Sequence, residues 1–407
     1  MSFQQGLSGL NAAAKNLDVI GNNVSNANTV GFKQSQAQFA DVYANSLTGA
    51  GGSNVGIGVK VAQVTQQFTQ GNITATNNPL DMAINGGGFF RMDNNGEVNY
   101  QRNGQFQLDK TGYIVNPTGA KLTGYVSNAS GVLSTGAPSP LVINTADLVP
   151  KITTQVNAVL NLDSGSAIPT TTPFNINDPT SFNSSTAVSV FDSLGNSQTL
   201  QTYFVKTATP GQWQVYASSD GTQIGAAPVA TLNFNTSGAL TTAMPLAAIN
   251  VPATASGATT PFPVTFDFTG TTQFGSAFSV NTLNQDGYTS GRLAGFNVGS
   301  DGIILGRYTN GQSAVLGQVV LANFANPNGL QQMGNNMWAE TSTSGTPLVG
   351  TPDSGSLGVL QSSAVEDSNV DLTAELVNMI TAQRVYQANA QTIKAQDAVL
   401  QTLVNLR

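Results

Sequence analysis

Phe3, Leu10, Leu17 and Val24 recur seven residues apart, with Leu7 and Ala14 between them, and this spacing predicts an apolar stripe on an N-terminal helix. Ser2 followed by Gln5 fits a capping box at its start. The far end repeats the design. Leu372, Met379, Tyr386, Ile393 and Leu400 recur at the same interval, with Leu376, Ala390 and Val404 in the alternate position and Gln383 and Asp397 interrupting that row. Ser368 with Asp371 predicts the cap of this second helix. Either stripe alone reads as the core face of an ordinary domain, but two matching narrow stripes most economically pair with each other. One helix pair buries too little to hold by itself, so the termini are expected to be disordered in the monomer and to order on assembly.

Between the helices the period changes to two. Phe262, Val264, Phe266 and Phe268 alternate with Pro263, Thr265 and Asp267, and Trp213, Val215 and Ala217 alternate with Gln214 and Tyr216, as in half-buried strands. Turn signals at Asp93-Asn-Asn-Gly96, Leu194-Gly-Asn196, Pro210-Gly211 and Asn328-Gly329 punctuate them. Residues 146–284 are poorer in charge and richer in Thr, Ala, Ser and Pro than their flanks. The expected fold is therefore multidomain and mainly β, with paired terminal α-helices and nested, discontinuous β-domains. Residues 1–70 and 358–407 would form the helical part with its linker, 71–145 and 285–357 a middle β-domain, and 146–284 a β-domain inserted in it.

Composition narrows the function. Only 9% of the 407 residues are charged, against roughly 25% in an average soluble protein, so solvation rests on amides and hydroxyls. A net charge of -7 with no basic patch argues against nucleic acid as a partner. The first nine residues do not read as a secretory signal, and no stretch approaches roughly 18 consecutive apolar residues, so membrane insertion is not expected. The chain has neither Cys nor His, which removes disulfides, thiol or imidazole zinc sites, cysteine nucleophiles and Ser-His-Asp triads.

Other motifs carry little chemistry. Asn85-Gly-Gly-Gly-Phe-Phe90 lacks the Gly-Lys-Ser/Thr ending of a phosphate loop and reads as a tight turn before a strand. Asp93, Asn95 and Glu97 surround Gly96 without the later bidentate Glu that a calcium loop needs. No pair among the 21 acidic residues is singled out by its spacing for acid–base work. No catalytic, metal or cofactor site is expected.

The stretch Asn22-Asn-Val-Ser-Asn-Ala-Asn-Thr-Val-Gly-Phe-Lys33, just after the first helix, is a long polar joint without charge until its last residue. Its amides are suited to satisfying backbone groups in a packed crossing. Within it, Asn28 and Thr29 precede Gly31, which would supply an unusual backbone angle, Phe32, an apolar anchor, and Lys33, the first charge beyond the joint. The segment reads as a hinge between two layers.

Several of these stretches together resemble the axial proteins of the bacterial flagellum, and most closely the hook-protein family. The resemblance rests on Ser8-Gly-Leu-Asn-Ala-Ala13, Leu17-Asp-Val-Ile-Gly-Asn-Asn23, Asn28-Thr-Val-Gly-Phe-Lys33 and Asn85 to Phe90. It continues through Tyr100-Gln-Arg-Asn-Gly-Gln-Phe106, Leu316-Gly-Gln-Val-Val-Leu-Ala-Asn-Phe-Ala-Asn326, and Ser368-Asn-Val-Asp-Leu372 to Arg407. The glycine-rich Thr48-Gly-Ala-Gly-Gly-Ser53 is longer than the corresponding hook segment.

The resemblance implies a structural, non-enzymatic subunit. It would leave the cell through the flagellar type III export apparatus without a cleaved signal peptide and add beneath the hook cap protein. The homo-polymer would be a curved tube between the distal rod protein and the hook-filament junction protein, located in the flagellar basal body and hook. Such a tube acts as a universal joint for motor torque. Terminal helices would line the inner tube, the flanking β-domain the middle layer, and the insert the outside. Flagellar rod proteins share the termini but are shorter and lack the large insert. From a different class, a secreted β-rich adhesin fits the amide-rich composition, although nothing localises a sugar site. Sparse charge is expected to let subunit contacts slide as a tube bends, because few directional ion pairs would lock a register.

Overall fold

The computed structural model describes residues 2–42, 56–128, 131–253 and 257–405; the side chains of Ser2 and Val404, and the segment Thr48 to Ser53, lie outside the described set. The chain is mainly β, with one helix at each end: α1, Ser2–Ser25, and α2, Leu372–Asn405. Contacts divide it into two units. One comprises 1–145, 295–306 and 313–407, and the other 146–294 and 307–312. The β-architecture is thus nested and discontinuous.

In the second unit, two five-stranded sheets enclose one core. Phe262–Asp267 alternates buried and less buried positions, as its period-two sequence requires, and Trp213, Val215 and Ala217 are buried along Gln212–Ser219. Phe204 meets Phe268 edge-on at 5.9 Å between ring centroids.

In the first unit, the hairpin of β1 (Ser35–Val42) and β2 (Gly58–Gln66) follows α1 directly. Then come β3 (Ile73–Ala75), β4 (Met82–Asn85), β5 (Phe89–Asn94) and β6 (Glu97–Gln101). β5 and β6 join through Asn95-Gly96, both at positive φ, the backbone that a two-residue turn demands. The glycine run 86–88 is the turn between β4 and β5. On the way to α2 the chain returns to pair with the early strands: Val359–Ser362 with β4, and Ala364–Glu366 with β3. Phe89, Tyr100, Phe324 and Trp338 form a buried aromatic cluster, and Trp338 Nε1 donates to Gln66 Oε1 at the base of the hairpin (2.7 Å).

The two terminal helices pair, but of the predicted stripes Ile393 is the residue that meets a small residue of the facing helix. A methyl group on Gly9 would stand 2.7 Å from Asn389 Oδ1, and one on Gly6 3.1 Å from Ile393 Cγ1, so small residues form the seam. Ala13, Ile20 and Asn23 on α1, and Glu375 and Ala382 on α2, are buried. Most of the heptad residues point elsewhere. Phe3 and Leu7 on α1, and Leu372, Leu376, Tyr386 and Leu400 on α2, are exposed, while Leu10, Leu17, Val24, Met379 and Ile393 are half-buried. The physical reason is close approach: glycine and alanine let the helix backbones come together where leucines would hold them apart. The cap of α2 also differs from expectation. Asp371, not Ser368, caps the helix, with Oδ1 accepting from the amides of Thr373 (2.9 Å) and Ala374 (3.1 Å), while Ser368 Oγ accepts only from Val370 N (3.3 Å).

Candidate functional site at the terminal joint

The polar joint after α1 satisfies its own backbone. Asn26 N and Nδ2 both donate to Asn22 O (3.1 and 2.9 Å), Thr29 N donates to Asn26 O (3.0 Å), and Phe32 N to Thr29 O (3.1 Å). Asn23 behaves like a strand partner: its Nδ2 donates to Ser35 O (2.8 Å) and its Oδ1 accepts from Ser35 N (2.9 Å), fixing β1 to the helix end. Asn369, three residues before α2, does the same from the other terminus. It accepts from Gln34 N (2.7 Å) and donates to Gln67 O (2.8 Å). These amides do what charged groups could not do without a heavier desolvation cost.

Within the box, Asn28 is exposed and Thr29 half-buried, whereas Gly31, Phe32 and Lys33 are buried. Gly31 has φ +72, its amide donates to Glu366 O (2.8 Å), and a Cβ there would lie 2.5 Å from Asn103 N. Two constraints therefore select glycine at one position: a left-handed backbone and a close approach.

Lys33 is not a surface charge. Its ammonium is fully buried and donates to Glu366 Oε1 (2.6 Å) and to Thr69 O (2.7 Å). The other oxygen of Glu366 accepts from Arg102 Nη1 (3.1 Å), and Gly71 N also donates to Oε1 (2.9 Å). Arg102 is held in turn by the carbonyls of Gly86 (2.7 Å) and Ile84 (3.3 Å), and its guanidinium stands 5.6 Å from the centre of the Phe89 ring. One carboxylate thus serves two cations. Burial pushes the Lys33 ammonium below its ordinary pKa, with Arg102 adding to the effect while Glu366 opposes both. Burial likewise lowers Arg102. The arrangement ties the chain leaving α1, the early β-segment and the chain entering α2 into a single clasp. Sequence reasoning singled out Lys33 but not Glu366, and Arg102 only as part of a longer stretch; their juxtaposition had no local signal.

A second polar cluster sits beside it. Glu375 on the first turn of α2 is buried and accepts from Gln34 Nε2 (2.8 Å), Asn23 Nδ2 (3.3 Å) and Asn378 Nδ2 (3.4 Å). It borders a groove of about 870 Å³ between α1, α2 and the β1–β2 hairpin. Among the described residues no group of three or more acidic side chains could hold a metal ion. The geometry serves connection and packing.

The comparisons with known proteins fit such a role. Four family models match successive parts of the chain: "Flagella basal body rod protein" at 3–33, "Flagellar hook protein FlgE/F/G D1 domain" at 83–162, "Flagellar basal body protein FlaE D2 domain" at 161–288, and "Flagellar basal body rod FlgEFG protein C-terminal" at 361–406. The flagellar hook protein FlgE of Salmonella typhimurium is 46% identical over the whole of both chains. Its counterpart in Escherichia coli K12 is also 46% identical over both full lengths, and that of Borreliella burgdorferi is 32% identical over all of this chain and 99% of its own. The crystal structure of Helicobacter pylori flagellar hook protein FlgE2 shares the fold, with a TM-score of 0.55 at 14% identity over 72% of this chain and 100% of that one. Full-length identity of this order, together with the nested β-units and terminal helix pair, shows that the chain belongs to the flagellar hook protein FlgE family.

Proposed function

We propose that the chain polymerises with copies of itself into the flagellar hook, a curved, flexible tube that acts as a universal joint passing motor torque from rod to filament. The observation that carries this reading is the exposed apolar surface of the paired terminal helices: Phe3, Leu7, Leu372, Leu376 and Leu400 face away from the helix seam. Such a surface on a soluble chain calls for a partner. Residues 1–70 and 358–407 then form the inner tube, 71–145 and 285–357 the middle layer, and 146–284 the outer layer. The box Asn28 to Lys33 passes the chain between inner and middle layers. Its partners besides other copies are the hook cap, distal rod and hook-filament junction proteins and the type III export apparatus, and the hook lies outside the cell. Full-length similarity to hook proteins favours this over a rod subunit.

The test is direct. Purified protein is concentrated and viewed by electron microscopy; hollow tubes are the expected result, and monomers or closed dimers at every concentration would overturn the reading.

A further inference from the structure

Glu375 and Arg384 lie on the same helix but nine residues, or about two and a half turns, apart, which puts them on opposite faces and roughly 13 Å apart along the axis. Arg384 therefore cannot reach the carboxylate of its own chain. Among the described residues Glu375 is the one charged residue lining the groove between α1, α2 and the hairpin, among amides and apolar side chains such as Ala12, Ala13, Ile20 and Phe39. Its donors are all amides, two of them at 3.3 Å or more, so the carboxylate retains acceptor capacity. The outer face of α2 carries the complementary features. Arg384 is exposed and has no ion pair among the described residues, and Val377 and Ile380 beside it are 58% and 52% exposed. Of the other cations of the helix pair, Lys15 stands 4.0 Å from Asp18 and Lys394 has Asp397 three residues on in sequence, whereas Arg384 has no acid within a turn.

We propose that the groove receives the outer face of α2 from a second copy, with that copy's Arg384 reaching Glu375. The proposal rests on the assembly reading and specifies its contact. Groove and ridge are different surfaces of one molecule, so the interface is head-to-tail; it does not close on itself as a two-fold dimer does, and unless rotation closes a ring it repeats into an open helical array. An apolar ridge carrying one cation meets a partly apolar groove carrying one anion, and the pair fixes the register between copies.

The test is a double-mutant cycle on the critical concentration for polymer formation by the full chain, using Arg384→Gln, Glu375→Gln and the double variant. Each single change is expected to raise the critical concentration about tenfold or more, and the double variant to be no worse than the weaker single variant. Arg384 is exposed, so its variant keeps the fold, and circular dichroism checks the buried Glu375 variant. If the wild-type chain polymerises and Arg384→Gln polymerises equally well, the groove belongs to another occupant and the proposal fails alone. It fails alone also if the two changes multiply independently. If the wild-type chain forms no polymer, the assembly reading falls and this contact with it.

Discussion

Replacing Glu366 by Gln keeps the size of the side chain and removes its charge. The two groups it serves stay where they are: the Lys33 ammonium and the Arg102 guanidinium, with side-chain exposures of 0% and 4%. Removing one partner of a buried ionic group typically costs about 3–5 kcal/mol, because the remaining charge is neither solvated nor paired. In a unit of about 250 residues each kcal/mol moves the unfolding midpoint by roughly 2–4 °C, so Glu366→Gln should lower it by about 6–20 °C. Lys33→Met is the informative companion. It removes the surplus cation and leaves a neutral Glu366–Arg102 pair, and Thr69 O keeps a donor in Asn369 Nδ2 (3.2 Å). Its cost should be about 2 kcal/mol or less, the loss of charge-assisted hydrogen bonds offset by the cation no longer desolvated. Calorimetry of the full chain reads both variants, with the transition of the 146–294 unit as internal reference. A Glu366→Gln midpoint within about 2 °C of wild type, or a Lys33→Met loss as large as that of Glu366→Gln, would refute the charge accounting.

Further outcomes follow from the same geometry. Gly31→Val forces a β-branched residue to φ +72 with its Cβ against Asn103 N, which costs about 1–3 kcal/mol from the backbone alone; unit stability should drop and tubes should fail to form, and normal tubes by electron microscopy would contradict this. Leu376→Ser on the exposed face of α2 should leave monomer unfolding within about 0.5 kcal/mol of wild type while sharply reducing polymer recovered by sedimentation. Because burial holds Lys33 below its ordinary pKa of 10.5, the unfolded chain binds the proton more readily between the lowered value and 10.5. Stability of its unit should therefore rise with pH across that window, and Lys33→Met should flatten the rise in denaturant titrations. Asp286 is only partly buried, which pushes its carboxyl up, but amide donors from Gln155 and Thr154, the Thr154 hydroxyl and Lys151 hold it well below the usual range. Its contribution is present above pH 3.8 and lost as pH falls toward the lowered value, so Asp286→Asn should weaken the acid dependence of the second unit.

The sequence was readable where structure is local. Period-seven and period-two patterns marked both helices and strands such as Phe262–Asp267, and Asp93-Asn-Asn-Gly96 marked a hairpin turn, because each depends on neighbours a few residues away. It misled at the helix seam. Leucine stripes are conspicuous, yet Gly6, Gly9 and Ala13 make the contact, and small residues leave no periodic hydrophobic signal. Asp371 outcompeted Ser368 as a cap because its carboxylate reaches two free amides at the helix start. In the joint, the amide-rich stretch reads as a polar crossing, and the structure adds that Asn23 is spent on fixed bonds and the lone cation is locked. Nothing adjacent to Lys33 announces Glu366; only the return of the chain beside β3 brings them together.

That separation gives the clasp a property of its own. Lys33 and Glu366 are 333 residues apart, and Arg102 and Glu366 are 264 apart. A chain that stops anywhere before residue 366 places two cations in an apolar site with no carboxylate between them, so the joint cannot be completed. Completion of the joint is thus a readout of length. Truncated chains keep the Asn23–Ser35 tie of the first helix but lack the carboxylate that closes the joint, and only a finished subunit can present both ends to an assembly.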